Sequence, residues 1–363
     1  MPPDTVRGLT EALARVPSHE DEAAAGEFIE DWLATETAAS VSRDEHGNVI
    51  ARLGTGGPSL ALVGHHDVVA PDESQLDGEE YRVEERDGRL YGRGTADMKG
   101  AVAAMMLAMR DAEPGAELVF ASFVGEESGG IGAQAAIDDG FAPDVAVVGE
   151  GSTSYSEPGV LDVAIAHKGR RGSTISATGE SAHASEPAAG TNAIYRATDA
   201  VDVIREVEPP QRTVFDRELT GSLVVTEIEG GSGWNVVPDR CEVTVDERTV
   251  PGSRADLGQV EDIEGVSWSV DQDLPPMECD DEAFAELVLE AAASVQGGTP
   301  EAVVKPHATD AGWLAAAGTT CVVCGPAEPG EAHTATESVS LDVLDRAYRT
   351  YRDLADAWPE PLV

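Results

Sequence analysis

A chain of 363 residues is too long for one small core, and a prior of about 150 residues per domain points to about two domains. Its hydrophobic fraction of 41% excludes global disorder, and no apolar run reaches the roughly 20 residues that span a bilayer. With 68 acidic against 24 basic residues the net charge is −44, a field that excludes nucleic acid and anionic membranes as partners.

The basic residues include three lysines, Lys99, Lys168 and Lys305, and the acids are spread along the whole chain. An even, lysine-poor acidic surface suits molar salt, where the Debye length shrinks to about 3 Å and self-repulsion is screened. The opening Met1-Pro2-Pro3-Asp4 has no basic or apolar leader pattern, so a halophilic cytoplasm is the expected setting. Four cysteines (Cys241, Cys279, Cys321, Cys324) are too few for a disulfide framework.

Leu9, Leu13 and Val16 recur at helical spacing until Pro17, and a second helix is expected over 22–33. Strands are expected at 49–53 and 60–63, an alanine- and methionine-rich helix at 100–112, and buried strands at 118–124 and 144–148. Strands alternating with helices give a mostly parallel α/β sheet. Beyond residue 170 the texture changes: strand 173–178, helix 192–207, strands 223–228 and 242–248, helix 254–260 and strand 266–270. This β-α-β-β-α-β order predicts a ferredoxin-like domain. Helices at 282–295, 310–317 and 341–358 and a strand at 320–324 return to the first texture. The second domain, 169–274, is therefore expected as an insertion into a first domain of 1–168 and 275–363.

Acids or histidines follow apolar strands or open a helix at five places. They are Gly64-His65-His66-Asp67, the segment from Gly92 to Gly100 with Asp97, Gly125-Glu126-Glu127, Gly149-Glu150 and Glu331-Ala332-His333. Carboxyl ends of parallel strands lie along one edge, so these groups converge on one crevice. Two imidazoles with three or more carboxylates suit zinc or a similar divalent ion, and a shared carboxylate can bridge two ions about 3.5–4 Å apart. Cys321 and Cys324 lie three apart in a strand, face opposite sides and read as core.

These residues resemble the dinuclear-zinc metallohydrolases of the M20 peptidase type, which include succinyl-diaminopimelate desuccinylases, acetylornithine deacetylases and carboxypeptidase G2. His65-His66-Asp67 is similar to the family's H-x-D and Gly92–Gly100 to its G-R-G-x-x-D-M-K-G. Glu126-Glu127, Glu150 and His333 resemble its paired glutamates, its G-E-P glutamate and its A-H-T histidine. The resemblance implies a zinc-peptidase-like catalytic domain carrying an inserted lid and dimerisation domain. It implies two zinc ions per subunit, with cobalt or manganese able to substitute. Asp97 would bridge both ions; His65 and Glu150 would hold one, and Glu127 and His333 the other. Asp67 would hold the His65 imidazole and Glu126 would be the general base.

Within the inserted domain, the segment Gly179 to Ser185 resembles the family's G-x-x-x-H-x-S. The resemblance implies that His183 reaches a partner subunit's site and stabilises the oxyanion. Asn235 and Arg248 stand where relatives bind a substrate carboxylate, and Arg170 and Arg171 are further candidates. The late segment Pro306–Gly312 lacks the arginine that relatives often carry there. The expected activity is deacylation of an N-acyl amino acid, N-succinyl-diaminopimelate or N-acetylornithine. A dipeptidase or carboxypeptidase and a non-catalytic binding protein on the same fold are the alternatives. A small-molecule substrate and a homodimer through the lid complete the expectation.

Overall fold

The computed structural model describes residues 3–78 and 80–359. The chain divides into two compact units, one of residues 1–166, 277–305 and 309–363, the other of 167–276 and 306–308. The division thus falls at 166/167 and 276/277 rather than at 168/169 and 274/275, and a short late segment joins the second unit.

The first unit is built on a nine-stranded sheet. Its strands are β1 (Ser40–Arg43), β2 (Val49–Leu53), β3 (Leu60–His65), β4 (Leu118–Phe123), β5 (Val145–Val148) and β6 (Val163–His167). After four strands that belong to the second unit, the sheet gains β11 (Met277–Glu278), β12 (Ala302–Lys305) and β13 (Thr320–Val323). The order is β1-β2-β4-β3-β5-β13-β6-β11, with β12 on β6. The central strands β4, β3, β5 and β13 are parallel, β1 and β2 run antiparallel to their neighbours, and β6 runs antiparallel to β13. The sheet is mixed and parallel at its centre. Both faces of the central strands are buried, which is why their sequences read as unbroken apolar runs.

The helices of this unit are α1 (Val6–Ala14), α2 (Ala23–Glu36), α3 (Lys99–Asp111), α4 (Ile131–Asp138), α6 (Glu282–Ser294), α7 (Asp310–Ala316) and α8 (Leu341–Ala357). Ala133 and Ala136 of α4 and Ala311 and Leu314 of α7 pack on Ala61, Val63, Val119, Ala121, Ala146 and Val148 of the sheet. Helix α3 lies close against β3 and β5. A methyl group on Gly64 would come within 2.7 Å of Met98 Cε, and one on Gly149 within 2.5 Å of Met105 Cε. Cys321 and Cys324 are both buried, as core residues should be.

Helix α4 carries no sequence expectation because its buried face is made of Gly132, Ala133 and Ala136, too small to form an apolar stripe. It starts at Gly130, whose φ of 74° lies in the left-handed region.

In the second unit β7 (Arg170–Thr178), β8 (Ser222–Gly230), β9 (Arg240–Arg248) and β10 (Val266–Leu274) form a four-stranded sheet in the order β8-β9-β7-β10. All three pairings are antiparallel, and with α5 (Ala193–Glu206) this is the ferredoxin-like arrangement. Asn192 caps α5 by accepting from the Ile194 and Tyr195 N–H groups. Ala193, Ala197, Ala200 and Ile204 cover Ile175, Ala177, Cys241, Val243 and Val245. The helix expected at 254–260 is instead a 3₁₀ segment, Leu257–Asp262. Leu257 and Val260, three apart, face the same core, and Gly258 between them disfavours a longer α-helix.

Candidate metal centre

Four of the five chemistry-bearing segments come together at the carboxyl edge of the parallel strands and the start of α3, and the loop after β13 brings the fifth. His65 ends β3, Glu126 and Glu127 follow β4, Glu150 follows β5, and Asp97 stands two residues before α3. The Oδ1 atom of Asp97 lies 3.2 Å from His65 Nε2, and its Oδ2 atom lies 3.2 Å from His333 Nε2. Glu150 Oε1 is 3.1 Å from His65 Nε2, and Glu127 Oε1 is 2.9 Å from His333 Nε2. One carboxylate therefore links two imidazole-carboxylate groups. Ligand atoms of His65, Glu126 and Glu150 lie within 4.8 Å of one another, as do those of Asp97, Glu127 and His333.

Asp67 ties these parts to each other. Its Oδ1 is 3.3 Å from His65 Nδ1, and its two oxygens accept from the Glu126 and Glu127 N–H groups at 3.2 and 3.0 Å. Burial opposes ionisation of Asp67, but the hydrogen bonds from His65 and these amides hold its pKa below the usual value. Asp97 is likewise held well down: burial works against it, and contacts with His333 and His65 prevail. Hydrogen bonds with Asp97 and Glu127 raise His333 to about 10, and those with Asp67, Asp97 and Glu150 outweigh burial to raise His65. The carboxylates draw positive charge onto both rings, and a cation satisfies the same demand. Two imidazole nitrogens with carboxylate oxygens form a donor set for zinc or a similar divalent ion. The residues fit such ions.

Glu126 differs from its neighbour. Burial, with the charges of Asp310, Glu150 and Asp97, pushes its pKa well above the usual carboxylate value against the pull of His65. A carboxyl poised to carry a proton is what a general base requires.

Three residues in or beside this centre carry no role in the sequence reading. Glu337 is buried, accepts from the Ala96 and Asp97 N–H groups at 3.0 and 3.1 Å, and pairs with Arg93 at 2.6 Å. Lys305 is buried with Nζ 3.9 Å from Glu150 Oε2. Asp310 is buried with no hydrogen-bond partner for either oxygen among the described residues, and burial pushes it up to about 7. The scarcity of lysine is the one signal that singles out Lys305. His66, inside the H-x-D motif, faces away: Ser122 Oγ lies 2.9 Å from its Nδ1, and burial lowers its pKa to about 3.

The loop bearing His333 is fastened by Arg89, which bonds Glu328 and Glu331 at 2.6 and 2.7 Å. His333 itself has φ 62°, a left-handed conformation rare outside glycine, and functional sites often hold such a residue.

In the second unit, His183 lies in a two-residue strand paired with Val236 and Val237, next to Asn235, whose carbonyl accepts from the Ala184 N–H at 2.9 Å. The His183 ring is exposed with Nδ1 2.7 Å from Ser185 Oγ. Arg170 and Arg248 both bond Asp246, at 2.7 and 2.8 Å, and remain partly exposed. Arg171 corrects the expectation of a substrate ligand. It is buried and committed to Glu247 and the Ala255 carbonyl at 2.6 and 2.7 Å.

Residues 61–357 match the family model "Peptidase family M20/M25/M40". The chain belongs to this family. The M20 chain is 28% identical to a "Probable succinyl-diaminopimelate desuccinylase" of Staphylococcus epidermidis, over 68% of each protein. Its fold is similar to aminopeptidase PepT of Bacillus cereus, with a TM-score of 0.81 and 20% identity over 97% of each chain. It is also similar to the Bacillus subtilis YXEP protein, a "Dinuclear Metal Binding Peptidase from M20 Family", with a TM-score of 0.72 and 16% identity over 98% of each. The M20 chain is a metallohydrolase of amide bonds. Among the described residues, no helix is long and apolar enough to cross a membrane.

Proposed function

We propose that this protein removes an acyl group from the nitrogen of an amino acid, using two divalent ions, zinc by preference, with cobalt or manganese as substitutes. The carrying observation is the division of the Asp97 carboxylate between His65 and His333. In this reading His65 and Glu150 would hold one ion, Glu127 and His333 the other, and Asp97 would serve both. The ions, when bound, polarise the acyl carbonyl and acidify water. Glu126 accepts a proton from the attacking water and returns it to the departing amine nitrogen. Asp67 keeps the His65 ring in one orientation and, through the Glu126 amide, fixes where the base begins. His183 of a partner protomer donates to the developing oxyanion, a contribution of roughly 3–4 kcal/mol for one good donor.

N-succinyl-diaminopimelate and N-acetylornithine are the substrates we put first. The desuccinylase relative supports the succinyl substrate, and Arg170 and Arg248, two cations on one carboxylate, suit its second carboxyl group. Asn235, beside His183, is proposed to contact the same substrate. The aminopeptidase likeness favours a second reading, a dipeptidase or carboxypeptidase. A non-catalytic binding protein is disfavoured because every motif ligand and the base are present. We place the protein as a homodimer in a salt-rich cytoplasm.

A panel of N-acetyl, N-succinyl and dipeptide substrates, assayed with zinc or cobalt in concentrated potassium chloride, separates these readings. Turnover of an N-acyl amino acid well above any dipeptide is expected. Preferential dipeptide cleavage would replace the deacylase reading with the peptidase one.

A further inference from the structure

Two of the three lysines are explained by packing or exposure. Lys99 donates to the Val16 carbonyl at 2.6 Å, and Lys168 is only partly buried. Lys305 is different. It ends β12 with its side chain 5% exposed, and its ammonium faces the outer oxygen of Glu150, with Asp97 and Glu126 as the next charges. A cation is a poor neighbour for a metal centre, because its charge repels the ions the centre must hold. Glu150 shows what offsets that cost. Its Oε1 points to His65 and its Oε2 to Lys305, so the two oxygens are assigned to different partners.

We propose that Lys305 is a positioning residue that holds Oε2 of Glu150 away from the metal centre, so that Glu150 serves as a one-oxygen ligand on the His65 side. The inference rests on the two-ion reading above and adds a residue to it. Sign separates it from a purely electrostatic role. Removing a bare charge leaves a more negative site and tightens metal binding; removing a positioning group frees Glu150 and loosens it.

The test compares cobalt-loaded wild type with K305M and K305R in molar potassium chloride. Chelator competition, the visible d–d absorption and kcat with KM are measured. For K305M we expect cobalt affinity to fall by about 10-fold or more, the scale of lost support behind a ligand. The absorption should change as Glu150 loses its fixed orientation, and kcat should fall with KM unchanged. K305R, which keeps a donor and a charge, should recover most of each. Unchanged or tighter cobalt binding by K305M overturns the proposal, as does a rise in KM alone with an unaltered spectrum. If K305M does not fold, K305Q carries the same comparison with the same criteria. Wild type binding no cobalt would overturn the two-ion reading itself, and this inference with it.

Discussion

Asp97 and Glu126 sit in one cluster yet have opposite characters, one held strongly ionised by two imidazoles and the other pushed towards its protonated form by burial. Asp97→Ala should therefore abolish turnover and reduce bound metal, since both imidazole groups lose their shared carboxylate. Glu126→Gln should leave metal content intact and reduce kcat by about 10²-fold or more. Metal analysis beside kinetics reads both, and full metal content in Asp97→Ala would remove its bridging role. His66 supplies a pH prediction. Its pKa falls from 6.5 to about 3 on burial, so between these values the unfolded chain binds a proton that the folded chain refuses. Its contribution is complete above pH 6.5 and is lost as pH falls, by about 1.4 kcal/mol per unit. Urea melts between pH 5 and 7 should show a shallower slope for His66→Gln than for wild type. That His65, Asp97, Glu126, Glu127, Glu150 and His333 cluster was legible in sequence because acids and histidines stand at successive strand ends or open a helix. Glu337 was not, since it reaches the Asp97 amide across 240 residues. Arg171 misled because sequence does not reveal that Glu247 lies opposite it on β9.

Helix α3 fixes Asp97 relative to β3 and β5, and the glycines next to His65 and Glu150 permit its close approach. A Cβ at Gly149 would stand 2.5 Å from Met105 Cε and 2.9 Å from Ala101 Cβ. Gly149→Ala should cost about 1–3 kcal/mol by overpacking, and should weaken metal retention because Glu150 is the next residue. Denaturant melts and chelator competition measure the two effects, and an unchanged midpoint would show that the helix yields freely. The central strands were legible as continuous apolar runs, and α1, α3, α6 and α8 by their apolar periodicity or composition. Helix α4 and the 3₁₀ segment at 257–262 were not. In α4, small residues do the packing; in the 3₁₀ segment, Leu257 and Val260 fit the helical spacing that the backbone does not continue.

Across the whole molecule, a net charge of −44 should make the chain repel itself and its copies at low ionic strength. Melting temperature and dimer fraction should rise together between about 0.1 M and about 3 M potassium chloride, where the Debye length falls from about 10 Å to 3 Å or less. Equal melting and an intact dimer at both concentrations would detach the acidic composition from salt adaptation. In a dimer that shares His183, mixing inactive His183→Ala and Glu126→Gln chains should restore activity, because one hybrid site regains both groups. No recovery after proven subunit exchange would confine His183 to its own protomer. One carboxylate shared by two ions makes hydrolysis depend on both, and titration of metal-free protein with zinc measures that dependence. Hydrolysis of the preferred N-acyl amino acid should be negligible without metal, rise with added zinc and break at two equivalents per chain. A break at one equivalent, or full turnover under chelation, would rule out a two-ion hydrolytic centre.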